Sequence, residues 1–92
     1  VPLRQFTVIY TTQGFDPNML EIRTGEAVKF IDESSRAMEV ASAIHPTHEL
    51  YPEFDQKEPG TVYEFIFDRA GTWKYHNHQF PSHTGTIIVA EK

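Results

Sequence analysis

The chain has 92 residues, 23% of them charged and 39% hydrophobic, with a formal net charge of −5 and a pI near 5.4. That is the size of one domain and the composition of a folded protein, and its acidity argues against a nucleic-acid binder, which needs a basic footprint. Cysteine is absent, which excludes disulfides, thiolate metal sites and cysteine nucleophiles, and no apolar run is long enough to span a membrane.

Taken in chain order, the apolar residues alternate with a period of two. Phe6, Val8 and Tyr10 form the first run, Leu20 and Ile22 the second, and Val28 and Phe30 the third. Met38–Ala43 is a weaker strand. Tyr63, Phe65 and Phe67 follow, then Trp73 and Tyr75, and Ile87 and Val89 close the chain. Turn-forming stretches separate them: GFDPN (14–18), TGE (24–26), DESSR (32–36), EPG (58–60) and DRAG (68–71). Period-two runs punctuated in this way predict half-buried strands and an all-β sandwich or barrel. The stretch 43–59 breaks the rhythm. It is punctuated by prolines, acidic, and too long for a hairpin turn, so a functional or locally helical loop is expected there.

The five histidines fall into two groups. His45 and His48 are spaced H-x-x-H. His76, His78 and His83 lie within KYHNHQFPSHTG (74–85). Imidazole is the commonest metal-binding side chain and serves zinc, copper, iron and nickel. If the strand carrying Trp73 and Tyr75 continues, Asn77 faces the core with them, and His76 and His78 share the other face about 7 Å apart at the backbone. H-x-H on a strand is then a chelating pair that needs further ligands, for which His45, His48 and His83 are the candidates. The competing reading is a set of ordinary surface histidines.

The last third, PGTVYEFIFDRAGTWKYHNHQFPSHTGTIIVAEK, resembles the end of a cupredoxin, the fold of the small blue copper proteins. Pro59-Gly60, Gly71-Thr72-Trp73-Lys74-Tyr75, a ligand loop over 76–84, Gly85 and Ile87–Val89 carry the likeness. GEAVKFIDESSRAMEV (25–40) resembles the segment that delivers the family's first copper ligand. The resemblance implies an all-β, cupredoxin-like Greek-key β-sandwich of about seven strands, one domain over 1–92, with one long loop (43–59). It also shows departures. The first ligand histidine falls on Met38, the cysteine on Asn77, the second histidine on Phe80 and the axial methionine on His83. A blue centre needs a copper–thiolate bond, and none can form.

His45-Pro46-Thr47-His48, Tyr51-Pro52-Glu53-Phe54-Asp55 and Tyr75-His76-Asn77-His78 are similar to a cysteine-free branch of cupredoxin-like domains. The H-x-H is also similar to the pair that multicopper oxidase domains offer their copper cluster. The resemblance implies copper held by His76, His78, His45, His48 and His83 in a non-blue site, for capture, delivery or slow electron transfer. It implies a protein redox or copper-delivery partner and an extracytoplasmic place, periplasmic or secreted, with a membrane anchor elsewhere in a longer chain left open. A start at Val1 fits a trimmed form. Met38 is open between a soft thioether ligand and a core residue. Glu49, Glu53, Asp55 and Glu58 are open between a solvated face and groups that orient His45 or His48. Asn77 is open between satisfying backbone groups at a strand end or turn and a direct metal role through its side-chain oxygen. Two alternatives stand beside copper carriage: a metal-free interaction module, and a copper-dependent redox enzyme. No nucleophile elbow or phosphate loop is present.

Overall fold

The computed structural model describes residues 5–42, 51 and 53–91. Eight strands follow one another: β1 (Gln5–Thr11), β2 (Gly14–Asp16), β3 (Met19–Arg23), β4 (Ala27–Asp32), β5 (Val40–Ser42), β6 (Val62–Ile66), β7 (Gly71–Asn77) and β8 (Phe80–Ala90). They form two four-stranded sheets, ordered β2-β1-β4-β6 and β3-β8-β7-β5. The β1–β4 and β3–β8 pairs are parallel and the rest antiparallel. This is the expected Greek-key sandwich, with one strand more than anticipated. The extra strand, β2, lies inside the GFDPN stretch read as a turn.

Alternation decides which side chains meet between the sheets. Val8 and Tyr10 of β1 and Val28 and Phe30 of β4 are buried from one side. Val40, Tyr75, Ile87 and Val89 are buried from the other. Phe30 meets Tyr75 edge-on at 5.2 Å between ring centroids, joining the two sheets. Burying such rings stabilises the fold by roughly 1.5–3 kcal/mol each.

Close approach requires glycine at one place in particular. Gly85 pairs with Tyr75 across β7 and β8. A Cβ at Gly85 would overlap the Tyr75 ring, with Cε1 at 2.8 Å. Only a residue without a side chain lets the fully buried tyrosine lie flat there.

The long connection after β5 is more than a loop. Ser42 N–H donates to Phe54 O at 2.9 Å, and Gln56 N–H donates to Val40 O at 2.7 Å. Ala41 and Asp55 form an antiparallel bridge on the free side of β5. Tyr51 and Phe54 are buried, and Phe54 packs on Phe67 at 4.8 Å and on Tyr75 at 5.8 Å. Tyr51 and Phe54 therefore anchor the described part of this connection to the core, and Asp55 and Gln56 lie beside β5. Among the described residues no helix is long and apolar enough to cross a membrane.

Candidate metal centre

β7 runs on to Asn77, and the hairpin to β8 turns through His78 and Gln79 alone. The expected ligand loop over 76–84 is thus a correction: residues 80–84 are strand. The register shifts between His76 and Asn77, so that His76 pairs with Thr84 while Asn77 pairs with Phe80. That bulge accommodates Pro81, which has no N–H for a regular ladder.

His76 and Tyr75 are neighbours on one strand and so point to opposite faces. Tyr75 enters the core between the sheets, and His76 stands on the other face, opposite Ala41 of β5. His76 is nevertheless only 1% exposed, whereas His78 is exposed. His76 Nε2 lies 3.1 Å from His78 Nδ1. The His78 N–H donates to Glu39 O at 2.7 Å, which fixes the turn against the entry to β5. Glu39, Ala41, Asp55 and Lys57 line a groove beside His78.

The separation of the two nitrogens tests the pair as chelating ligands. Imidazole nitrogens sit about 2.0–2.1 Å from a first-row ion, so two on one ion stand about 2.9 Å apart at a right angle and about 3.3 Å apart at a tetrahedral angle. The observed 3.1 Å falls between these values and equally suits a hydrogen bond between the rings. Both the donor type and the spacing therefore fit copper or zinc. Among the described residues, no group of three or more His, Asp or Glu side chains forms a complete metal cage. His45 and His48 lie outside the described residues, as does Glu49.

The described acids have other work. Glu53 pairs with Arg69 at 3.5 Å. Asp55 Oδ1 accepts the Lys57 N–H at 2.9 Å, and Glu58 is exposed. Glu39, which no sequence motif singles out, accepts from Gln79 Nε2 at 2.6 Å and lies on the groove wall. Its nearness to His78 comes from β5–β7 pairing, which no local pattern signals.

The position that a blue copper site would occupy does not fit that centre. Asn77 is fully buried, and its carboxamide is used up. Oδ1 accepts the N–H groups of Glu39 at 2.8 Å and Gln79 at 3.1 Å, and Nδ2 donates to Ala37 O at 2.8 Å. Met38 is fully buried in the apolar core cluster. Phe80 has no donor atom, and the Arg36 guanidinium lies over its ring at 4.2 Å. A hydrogen-bonded asparagine clip ties 37–39 to the β7–β8 turn, at the position the sequence resemblance aligns with a blue copper thiolate.

His83 is separate from the His76–His78 pair. Its Nδ1 lies 2.7 Å from the Tyr10 hydroxyl, across the sandwich on β1. The Phe80 ring covers it at 4.5 Å. Burial, and then the Arg36 cation, lower its pKa, which favours the neutral ring.

No family model and no curated protein matches the chain. Solved structures do. A reduced amicyanin variant superposes with a TM-score of 0.78 at 20% identity, over 92% of this chain and 81% of that one. The novel purple cupredoxin from Nitrosopumilus maritimus gives 0.78 at 21% identity, over 92% and 99% of the two chains. The Cu(I) form of another amicyanin variant gives 0.77 at 20% identity, over 98% and 86%. The fold is that of the cupredoxins.

Proposed function

We propose that this protein is a cysteine-free cupredoxin-like domain that binds one copper ion through His76 and His78, with His45 and His48 as the completing ligands. The observation that carries this reading is the 3.1 Å approach of Nε2 of His76 to Nδ1 of His78, the spacing of two donors on one ion. Copper held by nitrogen donors supplies a one-electron couple and an exchangeable cargo. The chain's own part is to hold His76 rigidly in a buried strand while His78, on the turn, faces solvent and the groove. One ligand is thus fixed and the other accessible, which suits capture and delivery, or slow electron transfer with a protein partner. His83 serves Tyr10 on the other side of the sheet and is not needed for this site. An extracytoplasmic location is part of this proposal, and the likeness to cupredoxins supports it.

A second reading, a metal-free interaction module, is favoured by the Asn77 clip, which closes the family's usual site with backbone hydrogen bonds. Thermal unfolding with and without one equivalent of Cu(II) separates the two. Copper carriage predicts a higher Tm that His76→Ala and His78→Ala abolish. A Tm unmoved by Cu(II) leaves the metal-free module.

A further inference from the structure

The chain has four tyrosines. A phenol can give up an electron at moderate cost only if its proton has somewhere to go, because the oxidised phenol is a strong acid. The hydroxyls of Tyr63 and Tyr75 are buried and find no hydrogen-bond acceptor among the described residues. Tyr51 donates to the Asp68 carboxylate at 2.8 Å, and Tyr10 is hydrogen-bonded to His83 Nδ1 at 2.7 Å. Imidazole is ordinarily a stronger base than carboxylate by about 2.5 pK units. Burial and Arg36 narrow that margin at His83, but they keep its ring neutral and so able to receive a phenol proton. The Tyr10 ring is also fully buried, which shields a radical from coupling to other molecules. Aromatic rings lead to it from the second sheet: Tyr75 meets Phe15 at 4.8 Å, and Phe15 meets Tyr10 at 4.7 Å.

From this geometry we infer that Tyr10 and His83 form a one-electron redox site, at which an oxygen-derived radical is quenched by coupled loss of an electron and a proton. The electron leaves the Tyr10 ring and reduces the radical to its anion. The Tyr10 O–H bond breaks, and its proton forms an N–H bond at His83 Nδ1. The products are a neutral tyrosyl radical and an imidazolium. A thiolate returns the electron and becomes a thiyl radical, and the proton passes back from Nδ1 to the phenol oxygen. The site stands on Tyr10 and His83 alone and does not depend on the metal reading.

The test is photo-oxidation of the full chain, without added metal, by a ruthenium polypyridyl complex and persulfate, read by freeze-quench electron paramagnetic resonance. A tyrosyl signal that Tyr10→Phe removes and Tyr51→Phe leaves intact is expected. His83→Gln should slow its appearance by about a hundredfold, the scale of losing a positioned proton acceptor. The wild type should slow in deuterated water, and high-field spectra should show a radical oxygen that receives a hydrogen bond. A signal retained in Tyr10→Phe, a rate unchanged in His83→Gln, or a wild-type radical oxygen with no hydrogen bond would each overturn the assignment. The wild-type spectrum decides even if a variant fails to fold.

Discussion

His76 and His78 bring Nε2 and Nδ1 to 3.1 Å of one another, yet one ring is buried and the other exposed. That inequality sets what each substitution does. His76→Ala removes a ring from a filled site and should cost roughly 2–4 kcal/mol of stability as well as metal affinity. His78→Ala should cost less, about 1 kcal/mol for the lost hydrogen bond to the buried His76 ring, while losing the metal equally. Urea unfolding of the metal-free variants checks the first half, and Cu(II) titration checks the second.

Asn77 holds three backbone groups through one buried side chain. Asn77→Ala strands the N–H groups of Glu39 and Gln79 and the carbonyl of Ala37. The expected loss is about 2–3 kcal/mol, for a fully buried side chain whose three partly buried hydrogen bonds are all lost. Urea denaturation measures it, and an unchanged midpoint would show that water replaces the carboxamide freely.

Gly85→Ala should destabilise the protein by about 2–3 kcal/mol, because the Tyr75 ring has no free space to yield. Adding Tyr75→Phe removes the hydroxyl but leaves ring carbons in the way, so the rescue should be partial. Thermal melts of the single and double variants report this.

Alkali should unfold the protein late and steeply. Tyr51 is pushed up to about 12, first by its burial, and burial raises Tyr63 and Tyr75 as well. A phenol whose pKa is higher folded than unfolded contributes stability that is complete below the unfolded value, about 10, and lost as pH climbs through the folded one. Tm should therefore fall between about pH 10 and 12. Most of the tyrosinate absorbance should appear together with unfolding. Smooth titration of all tyrosines near 10, with no loss of structure, would contradict the burial argument.

The fold was legible because period two is read directly from Phe6-Val8-Tyr10 or Trp73-Tyr75, and a buried face tolerates no slip of register. β2 escaped because three residues, Gly14–Asp16, carry too little alternation to stand out from the turn residues around them. The first half of β8 escaped because Pro81 and the bulge interrupt its pattern. The burial of Asn77 followed from extending the β7 alternation, and its service to backbone groups from its place at the strand end. The partner of His83 did not follow. Tyr10 lies 73 residues away on the other sheet, and such a pairing is set by how the two sheets stack rather than by any local pattern.

The copper reading is tested most directly by adding one equivalent of Cu(II) to the metal-free protein and recording its electron paramagnetic resonance spectrum beside those of His76→Ala and His45→Ala. A tetragonal signal with nitrogen splittings, changed in both variants, is the predicted result and joins the two histidine groups on one ion. A spectrum of loosely held copper that neither variant alters would contradict it.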